Sequence, residues 1–489
     1  MSKFTLHQGD CIEVMRGMAD ASVDSIVTDP PYELGFMGKA WDATGIANNP
    51  VMWAEALRVL KPGGHLLAFS GSRTYHRMTC AIEDAGFDIR DQIMWIYGSG
   101  FPKSMDVSKA IDKAGATSTA WFGAWLKQWR DARGLTQKEL CERCGFFGAV
   151  NRGGTIANWE TGAGAPTVEQ FNRICEVLSL PFASIDEARR EVIGTRQAHP
   201  GVAFSSKGLS ELIITAPATD AARQWDGWGT ALKPAHEPIC VARKPLIGTV
   251  AANVLAHGTG ALNIDGCRVG TDGGTSRGEN GSNAGKQRNV LHGGNFGIEQ
   301  LDAGRWPANI IHDGSAEVVA LFPVSTSGAM KSGTKRAAQD GPGSVCYGTY
   351  GGNISSAEIE ASTGSAARFF YCAKASRADR NAGLVSAAAP AVETDATMRD
   401  CEIADWEKRN GNHHPTVKPT DLMAYLVRLV TPPGGLVLDP FMGSGSTGKA
   451  CMREGFRFTG IDLGAEYVEI ARARIEAELA IPVQMGMFA

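Results

Sequence analysis

Residues 23–32 read VDSIVTDPPY. An apolar run that ends in Asp29-Pro30-Pro31-Tyr32 is a buried strand stopped at its carboxyl end, because proline has no N–H to give to a central ladder. Downstream, VMWAEALRVLKPGG places Met52, Ala56, Val59 and Leu60 at helical spacing, stops at Lys61-Pro62-Gly63-Gly64 and gives way to the strand HLLAFS. A further helix reaches Ala85, stops at Gly86 and leads into a strand around Met94. The C-terminal end repeats the pattern: helix Thr420 to Val430, stop TPPGG, strand LVLD, loop PFMGSGSTG, helix to Glu454, strand FRFTGID and a last helix from Ala465. Strands alternating with helices predict a parallel α/β sheet covered on both faces.

A chain of 489 residues exceeds one ordinary domain, and 43% hydrophobic with 20% charged residues is globular usage. The net charge of -4 offers no global attraction to nucleic acid, so any such binding must come from local Lys and Arg clusters. Eleven cysteines lie scattered from Cys11 to Cys451, with only Cys141 and Cys144 at CxxC spacing. That predicts reduced thiols, no metal site and a cytoplasmic setting. No run of 18 apolar residues occurs, so no membrane partner is expected. Gly-rich stretches such as TDGGTSRGENGSNAG lie between about Val250 and Gly411, where long loops are expected.

Between Thr117 and Arg190 four short helical segments interrupt this pattern. Thr136 with Glu139, and Thr167 with Gln170, each fit a capping box. Leu126 and Trp129, then Phe171, Ile174 and Leu178, supply the apolar faces of a small bundle. LTQKELCERCG followed by TIANWETGAGAPTVEQFNRICEVLSL resembles the helix-turn-helix of phage-repressor-type regulators. The resemblance puts Thr155 to Glu160 on the recognition helix, with Asn158 the candidate for a base edge. GFFGAVNRGG is longer than the usual tight turn, which leaves a second reading open: a bundle that braces the enzyme or contacts another protein.

Asp29-Pro30-Pro31-Tyr32 gains specificity from Asp439-Pro440-Phe441-Met442-Gly443-Ser444-Gly445-Ser446-Thr447, which also follows a strand. Glycines 443 and 445 would let the backbone approach a ligand at a helix start, and neither a GxGxxG nor a GxxxxGK[ST] pattern is present. With His414-Pro415-Thr416-Val417-Lys418-Pro419, Gly460-Ile461-Asp462, Lys61 to Gly64, Trp228 to Pro234 and Ala235-His236-Glu237, the pair resembles the amino-methyltransferases of DNA. Their permuted β class places the catalytic motif first and the cofactor motif last. The resemblance covers residues 1 to 118, 190 to 250 and 412 to 489.

The resemblance implies a Rossmann-like methyltransferase sheet in circularly permuted motif order, an inserted all-α helix-turn-helix domain and an irregular target-recognition region. The expected division is core over 1–116, insertion over 117–190, middle core strands over 191–250, target recognition over 251–411 and cofactor-binding core over 412–489. The implied cofactor is S-adenosyl-L-methionine. Phe441, Gly443, Ser444, Gly445 and Thr447, with Asp439 before them, would wrap its methionine end, and Asp462 would accept the ribose hydroxyls. Lys418 with Pro419 would shape the pocket near the methionine carboxylate, and Asp10 would reach the adenine end.

An exocyclic amine is a poor nucleophile because its lone pair is delocalised into the ring. The Asp29 carboxylate and the Pro30 carbonyl, both acceptors, can take its two N–H bonds and localise that pair, with Pro31 shaping the turn and Tyr32 stacking on the flipped base. The implied substrate is adenine N6 in a specific site of double-stranded DNA. Cytosine N4 is the nearest alternative, and a helix-turn-helix regulator with a vestigial methylase core the alternative of another class. No Pro-Cys dipeptide is present, which excludes cytosine C5 chemistry. Lys335, Arg336, Arg368, Lys374 and Arg377 would contact phosphates or else form a solvated face. A homodimer and a partner restriction endonuclease, as in restriction-modification pairs, stay open.

Overall fold

The computed structural model describes residues 3–35, 40–100, 104–114, 120–146, 154–182, 184–197, 211–270, 304–327, 362–373, 377–384, 412, 414 and 416–481. The strands are β1 (Phe4–Gln8), β2 (Val23–Thr28), β3 (Leu60–Phe69), β4 (Asp88–Ile96), β5 (Val192–Gln197), β6 (Glu211–Thr215), β7 (His236–Arg243), β8 (Ile310–His312), β9 (Val324–Ser327), β10 (Ser362–Ser365), β11 (Tyr371–Cys372), β12 (Leu436–Asp439) and β13 (Arg457–Asp462). Nine of them form one sheet in the order β1-β13-β12-β2-β3-β7-β4-β8-β11. Every neighbouring pair is parallel except β7 with β3 and with β4. The mixed α/β fold expected from alternating strands and helices is thus present, with one antiparallel strand that the alternation did not announce.

Each residue of β2 is buried, which is why its apolar run does not alternate. One face of the sheet is covered by the helix Thr420–Val430, buried at all positions except Asp421 and Arg428. The other face holds Met52, Trp53, Ala56 and Val59 of the helix Pro50–Val59, together with Met78 and Ile82. Full burial of side chains of this size is worth roughly 1.5–3 kcal/mol each. The Lys61-Pro62-Gly63-Gly64 stop differs from expectation: the helix ends at Val59 and β3 already begins at Leu60. The pairing jumps from Val23 with Leu60 to Ser25 with His65, so these residues form a bulge inside the strand.

The chain divides into two compact units, one of Met1–Gly100, Ala235–Ala387 and Asn410–Ala489, the other of Phe101–Pro234 and Ala388–Arg409. This corrects the expected boundaries. The return to the sheet comes at Ala235 and not at 191, since β5 and β6 pair only with each other. A buried ion pair explains the wider unit: Arg190 donates to Asp112 at 2.6 Å, and Asp112 also accepts from Ala218 N, Thr219 N and Thr219 Oγ1. Neither charge could stay buried without those partners. Within the expected target-recognition region, the helix Val250–His257, β8 and β11 belong to the sheet unit. The Gly-rich stretch at 271–303 lies outside the described residues.

In the second unit the helices Ala120–Ala132, Gln137–Cys144, Gly154–Glu160 and Val168–Val177 pack around Phe122, Leu126, Leu140, Ile156, Phe171 and Ile174. Both expected capping boxes are formed. Cys141 and Cys144 pack into this apolar cluster. A bidentate pair between Arg130 and Glu160, at 2.6 and 3.0 Å, ties the first helix to the third.

Candidate active site

β2 and β12 are adjacent and parallel, with Val437 opposite Ser25 and Leu438 opposite Ile26, so the loops after them leave the same edge of the sheet side by side. One loop is Asp29 to Tyr32 and the other Pro440 to Gly445. Asp439 joins them: it accepts from Thr28 Oγ1 at 2.7 Å, from Thr447 Oγ1 at 2.5 Å and from Phe441 N at 3.1 Å. Burial pushes the Asp439 carboxyl up to about 7 against those three hydrogen bonds.

Both loops line a cavity of about 540 Å³, together with Gly9, Asp10 and Cys11 and with Asp462, Leu463 and Gly464. Of the expected cofactor residues, Asp10, Lys418, Asp439, Phe441, Gly443, Ser444, Thr447 and Asp462 line it. Gly443 has φ +49°, and a Cβ there would come within 2.7 Å of His414 Nε2, so only glycine fits between the cavity and that ring. Asp462 spans the loop, accepting from Gly443 N at 2.9 Å and Gly464 N at 2.8 Å. Burial raises its carboxyl to about 6, the two amides opposing. Asp10 caps the helix Cys11–Arg16 through Ile12 N and Glu13 N.

Gly445 and Pro419 are not among the cavity-lining residues. A Cβ on Gly445, at φ +76°, would fall 2.9 Å from Ala471 Cα, so this glycine serves the close approach of the helix Ala465–Leu479. Pro419 precedes the helix Thr420–Val430 as its cap residue.

Lys418 lines the cavity and is paired there with two carboxylates. Its Nζ donates to Asp29 Oδ2 at 2.6 Å and lies 3.3 Å from Glu237 Oε2. The same Glu237 oxygen accepts from Tyr32 Oη at 2.8 Å. The ammonium sits 5.3 Å from the centre of the Tyr32 ring and 5.1 Å from that of Phe69. Asp29 Oδ1 has no hydrogen-bond partner. Burial raises the Asp29 carboxyl, with Lys418 opposing and Glu237 adding to the rise. On Lys418, burial works to lower the ammonium, but the two carboxylates outweigh it and raise it. Thr74 Oγ1 donates to Tyr32 O at 2.6 Å and fixes the turn.

Asn158 is exposed on the helix Gly154–Glu160 of the second unit. Arg368 donates to the backbone carbonyls of Gly364, Ser365 and Ser325. Arg377 opens the helix Arg377–Asn381, while Lys335, Arg336 and Lys374 lie outside the described residues. Two site residues escaped the sequence reading of roles. Glu237 stood only as part of a motif, although a carboxylate opening the apolar strand HEPICVAR must find a partner. Arg474 is fully buried and donates to Ser444 O at 2.5 Å and to Ser444 Oγ at 3.0 Å, behind the glycine loop. Its spacing from Ile470, Ala471 and Ile475 placed it on the apolar side of its helix.

A cavity at the carboxyl ends of parallel strands, walled by an acidic motif and a glycine loop, defines an α/β enzyme of the nucleotide-cofactor-binding kind. The family model described as "DNA methylase", of the N6/N4 type, matches residues 23–114 and 330–473, and a helix-turn-helix model matches 126–185. The chain is therefore similar, in two stretches with a helix-turn-helix match between them, to the DNA amino-methyltransferases, N6-adenine or N4-cytosine. It is 51% identical over 65 residues to the type II methyltransferase M2.DpnII of Streptococcus pneumoniae, 13% of this chain and 24% of that one. It is 38% identical over 76 residues to YubD of Escherichia coli (strain K12), a methylase by name, 16% of this chain and 34% of that one. The chain thus spans about a quarter to a third of the length of these relatives. Among solved structures, the cytosine-N4-specific PvuII DNA methyltransferase aligns at 12% identity over 97% of this chain and 86% of that one, with a TM-score of 0.35.

Proposed function

We propose that this protein transfers a methyl group from S-adenosylmethionine to N6 of an adenine flipped out of a specific site in double-stranded DNA. The observation that carries this reading is Asp29: a carboxylate with an unmet acceptor in the wall of the cavity that also holds the glycine loop and Asp462. The residues fit the cofactor. A cavity of about 540 Å³ has room for an adenosyl group and a base, glycine at 443 keeps one wall open, and Asp462 retains lone pairs for ribose hydroxyls beyond those used by two amides. Bound S-adenosylmethionine supplies an already activated methyl group.

The chain's own residues do the rest. The Asp29 carboxylate and the Pro30 carbonyl accept the two N–H bonds of the amine, turn its lone pair toward the methyl and stabilise the positive charge that develops on nitrogen. The proton then leaves the methylated nitrogen toward the carboxylate that already accepts it. Tyr32, held by Glu237 and Thr74, offers a ring face to the extruded base and offsets part of the lost stacking. The helix-turn-helix domain, with Asn158 exposed on its third helix, supplies a second DNA contact outside the catalytic cavity. Asp at position 29, where N4 enzymes of the resembling class usually carry Ser, favours adenine over cytosine.

Incubation with tritiated S-adenosylmethionine and unmethylated genomic DNA, followed by nucleoside mass spectrometry, tests the reading. N6-methyladenine is the expected product. N4-methylcytosine would overturn the base, and bound cofactor with no methylated nucleoside would overturn the activity.

A further inference from the structure

Lys418 is 8% exposed and is held by its surroundings before any ligand enters. The next residues are pinned from behind, because Thr420 N and Oγ1 both donate to Asp379, at 3.0 and 2.8 Å. Its side chain lies between the rings of Tyr32 and Phe69 and ends between two carboxylates from different strands: Asp29 after β2 and Glu237 in β7. An ammonium so placed is a poor partner for a cofactor carboxylate, since reaching one would strand Asp29 and Glu237 as buried like charges.

We propose that Lys418 is a positioning residue for Asp29 and that Glu237 holds Lys418 in place. Together they fix the plane of the Asp29 carboxylate and keep it anionic, so that it accepts an N–H from the reacting amine. The inference rests on the amine-methylation reading of this site. Three groups act on Asp29 at once: Lys418 neutralises it at 2.6 Å, Glu237 shares that cation at 3.3 Å, and the Tyr32 hydroxyl, which donates to Glu237 at 2.8 Å, opposes the rise of the Asp29 carboxyl. Without the cation, two neighbouring carboxylates in a half-buried wall would share a proton, and a protonated Asp29 would present a donor where the amine needs an acceptor. The other titratable groups acting on this cluster are Asp439, through Asp29, Tyr97, which feels Glu237 and Lys418, and His414, which feels Lys418.

The test compares Lys418→Met, Lys418→Arg and Glu237→Gln with the wild type in two measurements. The first is steady-state methyl transfer to DNA across pH, with cofactor binding by calorimetry. Lys418→Met is expected to lower kcat on the order of 10²-fold while the cofactor Kd stays within about threefold, and to move the acidic limb of the kcat profile upward. Lys418→Arg should restore part of kcat, and Glu237→Gln should cost less than Lys418→Met because the amide still accepts a hydrogen bond. A rise in cofactor Kd with kcat unchanged would overturn the proposal and return Lys418 to the methionine carboxylate.

The second measurement is an isotope-edited infrared titration of the Asp29 carboxyl, assigned with Asp29→Asn, which needs no turnover. The midpoint should rise in Lys418→Met and fall in Glu237→Gln. An unmoved midpoint in both would overturn the proposal even in an active enzyme. Shifted midpoints in a wild type that methylates no DNA would leave the pair standing and remove the assigned reaction instead. Should Lys418→Met fail to fold, the Glu237→Gln midpoint decides alone.

Discussion

Thr28 Oγ1 donates a 2.7 Å hydrogen bond to Asp439 Oδ1, joining the last residue of β2 to the last residue of β12 across 411 positions of chain. Both atoms are buried, and each belongs to the residue that opens one of the two functional loops. The loop that carries Asp29 and the glycine loop therefore hang from one shared contact.

Thr28→Val keeps the shape of the side chain and leaves an Asp439 acceptor short of a donor. Because Asp439 Oδ1 keeps its bond from Phe441 N, the change should cost about 0.5–1.5 kcal/mol of stability, the net worth of one hydrogen bond, and lower kcat more than it raises the cofactor Kd. Urea unfolding and steady-state kinetics on the same preparation check both expectations. A variant as stable and active as the wild type would show that the bond is incidental.

Asp439 also sets a pH dependence. Its folded carboxyl lies near 7 against 3.8 for the free group, so the folded state holds the proton more tightly than the unfolded state. The stability linked to that proton is fully present below about pH 4 and is lost as pH rises through about 7. The stability difference between wild type and Asp439→Asn, from urea melts at a series of pH values, should therefore move against the wild type as pH rises across that window. A flat difference would mean that Asp439 titrates as an ordinary carboxyl.

Asp29→Ala and Asp462→Ala should fail in different ways. The first should reduce turnover by on the order of 10³-fold or more while cofactor still binds, since its carboxylate acts on the substrate. The second should weaken cofactor binding at least about tenfold, by loss of the ribose acceptor and of the two amide bonds that shape the loop. Calorimetry with S-adenosylmethionine separates them, and an unchanged Kd in Asp462→Ala would reject the ribose contact.

Gly445→Ala places a Cβ against Ala471 at a left-handed backbone position, so it should destabilise the sheet unit by about 1–3 kcal/mol. The loss of cofactor affinity should follow the loss of fold and not precede it. Thermal melts with and without cofactor distinguish this from a direct contact, in which affinity would fall at unchanged stability.

β4 and β7 are antiparallel neighbours with Ile96 opposite His236, and Tyr97 N donates to Ala235 O at 3.0 Å. In chain terms, residues 101–234 are an insertion at the end of a hairpin. Replacing them with a Gly-containing linker of about four residues should leave a folded sheet unit that binds cofactor, because hairpin ends this close need only a short turn. Complete loss of cofactor binding would show that the inserted unit is structurally required.

The sequence by itself determined the alternation of strands and helices, the ends of the helix Thr420–Val430 and of the strand Leu436–Asp439, both capping boxes of the helical unit, and the two loops that line the cavity. These follow from rules acting over a few residues: apolar periodicity, proline and glycine stops, and side chains that cap their own helix. The tertiary structure alone decided that β7 runs antiparallel, that 191–234 belong with the helical unit, that Gly445 serves a helix crossing, and that Lys418 lies on Asp29. Such facts depend on which segments meet in space, and a lysine looks the same in sequence whether it will face water, a cofactor or a carboxylate 389 residues away. A buried ammonium goes to whichever negative charge the sheet brings within reach, and here β2 and β7 deliver two.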